Sequence, residues 1–289
     1  MDTIGLDGFH IAYSAIPRCA NTSIKLSLFA LKTGTNFEKY DKDGPLWPHA
    51  IPKLGIHRSD IIEFTNLTHR TIDFIEENYE FWFTVVDSPL RRLFSAYQML
   101  VLLEDPHLRV MARDTRNFAN LATFSYESIK AHFEDFVNST YLKYLMEVDA
   151  HFIPQAVLLN SVITSNKLQV YGLNEISRIE TELNEFLQEN RIKRRFEVSR
   201  SNNSLLNIRD IAPSLECQAT IKSLYRRDIQ MLQDRGVVFT DDVEVPEMLK
   251  EENLLNIAME AIRDRNRQIF EMYERYIEKL NSLGKRTPE

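Results

Sequence analysis

A short apolar segment that leads through a polar turn into a helix constrains the fold most strongly. Residues Phe9 to Ile16 are apolar and β-prone, which predicts a buried strand that ends before Pro17. The polar turn from Pro17 to Ser23 follows, and apolar residues at helical spacing then predict a helix over Ile24 to Leu31. The unit is therefore strand, polar turn and helix.

The same order returns twice along the chain. Glu80 to Val86 is the clearest strand pattern, and Pro89 after it favours the first turn of a helix that we expect to reach about Glu104. A third strand over Leu168 to Tyr171 leads into a helix from Asn174 to Glu189. This alternation predicts an α/β fold of the P-loop-like, three-layer α/β/α kind, with a central parallel sheet and added helices at the C-terminus.

The C-terminal part of the chain carries helical patterns alone. We expect one helix from about Pro213 to Asp234 and an amphipathic helix, or two, within Pro246 to Leu283. The predicted division is an α/β domain over residues 1–245 and a helical extension over residues 246–289. That extension either packs on its own domain or joins two copies of the chain in a homodimer.

Composition excludes several classes of protein. Hydrophobic residues make up 44% and charged residues 27% of the 289 positions, which is unlike disordered or fibrous chains. The net charge of −7 argues against a general nucleic-acid binder. No long apolar run or secretory leader is visible, so we expect a cytoplasmic protein without a membrane span. The two cysteines lack zinc spacing, and we expect no metal.

The first polar turn carries groups that suit a phosphate. A helix N-terminus favours an anion, the hydroxyls of Thr22 and Ser23 are donors, and Arg18 adds a positive charge. The chain holds only 8 glycines and no G-x-x-x-x-G-K-[ST] segment, which excludes a Walker-type loop. An ordinary capped turn with a surface arginine is the alternative at this point.

The second polar turn, within Val85 to Tyr97, offers another place for an anion. Arg92 and Ser95 lie three residues apart on the predicted helix, so they share one face just beyond the end of a strand. Ligands of open α/β sheets bind at the carboxyl ends of the strands, where both turns lie. The alternative is an amphipathic helix whose arginines are only solvated.

Four motifs in order resemble those of a known family. Pro17 to Ser23 is similar to its P-[KR]-x-x-x-[ST]-[ST] turn, and Pro89 to Tyr97 to its P-x-x-R-L-x-S-A-Y segment. Asp149 to Gln155 resembles D-x-H-x-x-P-Q, and Asn202, Ser204 and Tyr225 to Asp228 resemble its asparagine/serine loop and Y-x-x-D helix. Over residues 9 to 232 the chain thus resembles sulfotransferases that use 3′-phosphoadenosine-5′-phosphosulfate (PAPS), closest to the carbohydrate group with Golgi enzymes and bacterial relatives.

The resemblance implies a nucleotide site. The first turn would hold the 5′-phosphosulfate, Arg18 would stand in for a lysine that contacts the bridging oxygen, and Ser95 would bind the 3′-phosphate. Residues 200–204 resemble a loop that closes over the nucleotide. The cofactor-binding residues expected on this basis are Pro17, Arg18, Ala20, Asn21, Thr22, Ser23, Arg92, Ser95, Arg200, Asn202 and Ser204.

Two positions depart from the family pattern. Arg18 keeps the positive charge of the lysine, but an arginine does not readily give up a proton, so its help to the leaving group would be electrostatic. Asp87 stands where the family has an arginine that pairs with the serine on the 3′-phosphate. Unless Arg91, Arg92 or Arg200 compensates, the protein uses another donor or has lost activity.

Sulfuryl transfer to a hydroxyl needs a base, and histidine suits that role near neutral pH. The motif match favours His151 as the catalytic base, so the expected catalytic residues are Arg18 and His151. The alternative is that His151 only shapes the loop before Pro154. His49 and His57 lie in a proline-rich segment through which an acceptor could enter. His10 within the first strand is expected to be structural, and His132 in mid-helix to be solvated.

The function expected from the sequence is transfer of a sulfuryl group from PAPS to a hydroxyl of a small-molecule or carbohydrate acceptor, with PAP as product. One alternative is a nucleotide-dependent, kinase-like transferase, which the missing Walker lysine and magnesium aspartate disfavour. The other is a non-catalytic interaction protein on a sulfotransferase scaffold, which Asp87 would favour.

Overall fold

The structure is a computed structural model. It describes residues 2–35, 64–104, 121, 123–198, 206–239 and 254–266, together with residues 268, 271 and 275. All structural statements below refer to these residues.

A five-stranded sheet forms the centre of the fold. Its strands are β1 (Thr3–Leu6), β2 (Ile11–Ser14), β3 (Phe64–Asn66), β4 (Phe81–Val86) and β5 (Leu168–Gly172), in the order β3-β1-β2-β4-β5. Strand β4 runs parallel to both β2 and β5, whereas β1 is antiparallel to β2 and β3. The predicted α/β class with a parallel sheet centre is confirmed, but β1 and β3 were not predicted.

Helices follow the parallel strands, as the sequence pattern predicts. Helix α1 (Asn21–Thr33) follows β2, and α3 (Pro89–Ala96) follows β4. Helix α7 (Ile176–Glu189) follows β5 after a short 3₁₀ turn. The others are α2 (Ile72–Asn78), α4 (Tyr126–Asn138), α5 (Thr140–Val148), α6 (Gln155–Leu158), α8 (Ile208–Ile211), α9 (Leu215–Leu224), α10 (Arg226–Asp234) and α11 (254–266).

Two helices differ from their predicted form. The helix after Pro89 is α-helical only to Ala96 and continues as a π-helix over Tyr97–Leu102. The single helix expected from about Pro213 to Asp234 is two helices separated at Tyr225, whose buried hydroxyl donates to the carbonyl oxygen of Phe152 (2.8 Å). A helical pattern that is continuous in sequence is thus interrupted at Tyr225.

Buried contacts between β2 and β4 fix where the two polar turns begin. Every residue of both strands is buried. The Trp82 indole donates to Ser14 Oγ (2.9 Å), and the Thr84 hydroxyl donates to the Ser14 carbonyl oxygen (2.7 Å). Because both bonds lie near the carboxyl end of β2, the strand ends are held in register at the edge where a ligand would bind.

The described residues fall into two compact units. The first lies within Met1–Arg92, Leu145–Asn203 and Lys222–Asp241, and the second within Leu93–Tyr144, Ser204–Ile221 and Asp242–Glu289. The predicted boundary between residues 245 and 246 falls outside the described residues and stays a prediction. In the described part of the chain, no helix is both long and apolar enough to cross a bilayer.

Helix α11 docks within the second unit. The Asn256 side chain accepts from the amide of Phe124 (2.8 Å), and Arg263 donates to the Leu121 carbonyl oxygen (2.9 Å). The Arg263 guanidinium also lies over the Phe124 ring, 4.8 Å from its centre. Whether the extension over residues 246–289 packs on its own domain or joins two copies in a homodimer stays a prediction.

Candidate functional site

The first polar turn joins β2 to α1 through residues 15–20. The Ile24 amide donates to the Ala20 carbonyl oxygen (2.9 Å) and closes the first turn of the helix. Ala20 is the N-cap residue and has no side chain that could accept from the helix amides, and the first turn carries no acidic residue. The amides of this turn and the positive end of the helix dipole therefore favour an anion.

The backbone of this turn adopts a conformation that usually needs glycine. Arg18 has φ 69° and Ala20 has φ 52°, both in the left-handed region. Left-handed residues within a turn direct backbone N–H groups into concave nests that bind anions. The chain thus achieves a glycine-type turn with side chains present, at a cost of about 1–2 kcal/mol for each residue.

Replacing Ala20 with glycine is expected to stabilise the protein. Relief of the left-handed strain outweighs the greater unfolded-state freedom of glycine and leaves a gain of about 0.5–1 kcal/mol. Thermal unfolding measures it. The same substitution at Ala30, within helix α1, is the control and is expected to destabilise by about 1 kcal/mol. A loss of stability in both variants would show that Ala20 is not strained.

The second polar turn contains a buried carboxylate that is neutralised by an arginine. Asp87 is 4% exposed and directly follows β4. Its Oδ1 accepts from the amide of Ser88 (2.8 Å) and from Arg91 Nε (3.0 Å), and it lies 2.8 Å from Arg91 Nη2. The Arg91 guanidinium is also stacked on the Phe239 ring. Arg91, one of the three arginines expected to compensate for Asp87, therefore forms an ion pair with it.

Arg92 links the first turn to the segment that holds His151. Only 1% of the residue is exposed. Its guanidinium donates to the carbonyl oxygens of Pro17 (3.0 Å), Ala150 (2.8 Å) and Ile153 (2.9 Å). The structure therefore places this arginine inside the protein as a link between backbone segments, whereas the sequence analysis expected it to bind the nucleotide.

Asp149 and His151 form a hydrogen-bonded pair. The Asp149 Oδ1 accepts from the amide of His151 (2.8 Å) and lies 2.7 Å from His151 Nδ1. Burial alone raises the pKa of Asp149, but its hydrogen bonds and charge interaction with His151 outweigh burial, so the pKa lies below its usual value. An ionised carboxylate favours the ring form that carries its proton on Nδ1, and in that neutral form Nε2 is an acceptor.

The remaining residues predicted for the first turn lie together at the start of α1. Asn21 and Thr22 are half-buried and Ser23 is buried. The Asn21 Oδ1 is buried, and no described residue hydrogen-bonds to it. Ser95 is half-buried on helix α3, three residues after Arg92. The role of these side chains in nucleotide binding stays a prediction.

Several predicted residues lie outside the described residues. They are Arg200, Asn202 and Ser204 of the loop expected to close over the nucleotide, and the alternative bases His49 and His57.

Two other histidines differ from their predicted environments. His10 precedes β2 with φ 56°, and its Nδ1 is hydrogen-bonded to the Asn78 carbonyl oxygen (3.2 Å), so it is not within the strand. His132 was expected to be solvated but is half-buried, with its Nδ1 2.6 Å from the hydroxyl of Tyr97. Both predictions were wrong about the environment, since local sequence does not reveal these distant partners.

Two buried residues of the site received no role from the sequence. Gln155 and Asp228 are both 0% exposed and hydrogen-bond to each other. The signal was present, because Gln155 closes the D-x-H-x-x-P-Q segment and Asp228 closes the Y-x-x-D segment.

In the described part of the chain, no three His, Cys, Asp or Glu residues are grouped to hold a metal ion.

The fold and the two turns define an α/β protein with a candidate anion site at the carboxyl ends of adjacent parallel strands. The chain matches the model of the sulfotransferase family over residues 2–235, and it belongs to that family. No curated protein and no solved structure matches the chain. Family membership supports sulfuryl transfer as the general activity.

Proposed function

We propose that this protein transfers a sulfuryl group from PAPS to a hydroxyl of a carbohydrate acceptor. The observation that carries the proposal is the Arg92 guanidinium, which bonds to the carbonyls of both Pro17 and Ala150. Arg18 follows the first of these residues and His151 the second. One guanidinium thus links the backbone segments that carry a candidate cation for the leaving group and a candidate base.

The residues of the first turn suit the phosphosulfate end of PAPS. Helix amides, hydroxyls and left-handed backbone converge there, next to the positive charge of Arg18. Asp87 does not oppose the assignment, because Arg91 balances its charge. The residues proposed to hold the phosphosulfate are Pro17, Arg18, Ala20, Asn21, Thr22 and Ser23.

For the rest of the nucleotide we propose Ser95 on the 3′-phosphate and Arg200, Asn202 and Ser204 in the closing loop, on the basis of the motif resemblance. Arg92 is assigned instead to positioning, since its guanidinium is engaged by backbone carbonyls.

The chemistry divides among three side chains. PAPS, when bound, supplies the sulfuryl group, which passes to the acceptor oxygen as the sulfur–oxygen bond to the 5′-phosphate breaks and PAP leaves. His151 Nε2 takes the proton of the acceptor hydroxyl. Asp149 holds the ring through Nδ1 and stabilises the charge that develops on it. Arg18 stabilises the negative charge on the oxygen that the sulfuryl group leaves.

Isothermal titration with PAP tests the nucleotide assignment. We expect the wild-type protein to bind PAP, and no binding at millimolar PAP would refute a PAPS-dependent activity. Assays with PAPS and a panel of sugars then test the acceptor class. Transfer from ATP with magnesium, in place of transfer from PAPS, would favour the kinase-like alternative. PAP binding without transfer to any acceptor would favour the non-catalytic alternative.

Replacing Arg18 with alanine is expected to lower kcat much more than it weakens PAP binding. The positive charge acts mainly on charge that appears in the transition state, and losing such a group costs about 10²–10³-fold in kcat. Titration with PAP and steady-state kinetics on the same preparation separate the two effects. Equal losses in both would instead assign Arg18 to holding the nucleotide.

A further inference from the structure

Gln155 pairs with the peptide groups of Asp87 through both ends of its side-chain amide. Its Oε1 accepts from the Asp87 amide (3.0 Å), and its Nε2 donates to the Asp87 carbonyl oxygen (2.8 Å). This two-point pairing is the pattern that one strand makes with another. It fixes the backbone of the chain directly after β4, where the second polar turn begins.

The same amide contacts the first polar turn. The thiol of Cys19 donates to Gln155 Oε1 (3.3 Å). Cys19 is 0% exposed and lies between the two left-handed residues Arg18 and Ala20. One side chain therefore touches both turns.

Asp228 holds Gln155 from the other side. Its Oδ2 accepts from the backbone amide of Gln155 (3.0 Å) and from Gln155 Nε2 (3.4 Å), while its Oδ1 accepts from the Ala156 amide (2.8 Å). The carboxylate is fully buried, and burial raises its pKa although these donors and Arg92 oppose the rise. Because a carboxylate only accepts hydrogen bonds, Asp228 fixes the orientation of the Gln155 amide, with Nε2 toward Asp228 and the Asp87 carbonyl.

We propose that Gln155, oriented by Asp228, is a positioning residue that holds the first polar turn at a fixed distance from the second. Its effect on the nucleotide rests on the proposed function, since the turns must hold PAPS for their spacing to affect affinity. Its effect on the turns themselves does not depend on that function. The two effects are therefore measured separately.

The Cys19 thiol reports on the first turn without any nucleotide. Burial raises its pKa, so labelling by iodoacetamide should be slow in the wild type. Gln155→Met keeps the side-chain length but has no amide group to hydrogen-bond with Asp87 or Cys19. We expect labelling of Cys19 to become about tenfold faster or more, because the buried groups that lose their partner in Gln155 destabilise the closed turn. Mass spectrometry resolves Cys19 from Cys217, which is also buried and serves as the internal reference.

Leu183→Ala is the matched control, because Leu183 is 0% exposed on α7 and its truncation also destabilises the protein. When the two variants have lost equal thermal stability, Cys19 should be labelled more slowly in Leu183→Ala than in Gln155→Met. Asp228→Asn, which keeps one acceptor oxygen, should give an intermediate rate and serves if Gln155→Met fails to fold. Equal Cys19 labelling in the control and in either site variant would overturn the proposal.

Titration with PAP gives the second readout. Gln155→Met should bind PAP about tenfold more weakly, whereas folded Leu183→Ala should keep wild-type affinity. If the wild type binds no PAP, the proposed function fails while the labelling result still decides the positioning role. If the wild type binds PAP and Gln155→Met binds it equally well, the positioning role toward the nucleotide is overturned.

Discussion

Replacing His151 with alanine is expected to lower kcat by about 10²–10⁴-fold, the range typical for loss of a general base. The substitution removes the Nε2 acceptor that we assign to the proton of the acceptor hydroxyl. Because His151 is not among the residues proposed to hold the nucleotide, PAP affinity should stay within about twofold of wild type. Initial rates at saturating PAPS, together with a PAP titration, measure both quantities.

Asp149→Asn separates orientation from proton transfer at the same site. The Asn amide can donate to His151 Nδ1, which favours the ring form that carries its proton on Nε2 and cannot act as a base. We therefore expect kcat to fall nearly as far as in His151→Ala, although the imidazole is still present. The double variant should lose little more than either single variant, because the two residues act as one unit.

His69→Ala is the control for a general effect of losing a histidine, since His69 is exposed in the same unit. It should keep wild-type kcat. If His151→Ala retained more than about a tenth of wild-type kcat, His151 would not be the base. His49 and His57 would then be the candidates for the catalytic base.

The elements that carry the site could be predicted from sequence because each has a strong local signal. Strand β4 is a run of aromatic and β-branched residues, and Pro89 marks the first turn of the helix after it. Strands β1 and β3 belong to no strand–turn–helix unit, and the pairing of β1 with β2 and with the distant β3 makes them strands. Local pattern therefore predicts the parallel centre of the sheet but misses its antiparallel edge.

The candidate site, too, could be predicted from the sequence only in part. The motifs identify Arg18 and His151, and the spacing of Asp87 and Arg91 by four residues could have indicated their ion pair. The environment of Arg92 could not be predicted, because its acceptors come from residue 17 and from residues 150 and 153. Sequence spacing shows which helix face an arginine shares with Ser95, but the long-range fold decides whether its guanidinium meets a ligand or backbone carbonyls.

Arg92→Lys is expected to destabilise the protein by about 3 kcal/mol. The substitution keeps the positive charge, but a single ammonium lacks the planar fork of donors that reaches three separate carbonyls. Losing a hydrogen bond from a charged donor to one of these part-buried carbonyls costs about 1.5–3 kcal/mol. Urea unfolding measures the loss as a lower midpoint.

Arg178→Lys is the matched control, because the Arg178 side chain is 59% exposed and its ion pairs with Glu175 and Glu182 lie at the surface. Such pairs contribute about 0–1 kcal/mol, so this variant should unfold near the wild-type midpoint. If the two lysine variants lost equal stability, charge alone would explain Arg92. A large loss confined to Arg92→Lys, with kcat reduced in the molecules that remain folded, would support the guanidinium as the link that holds Arg18 near His151.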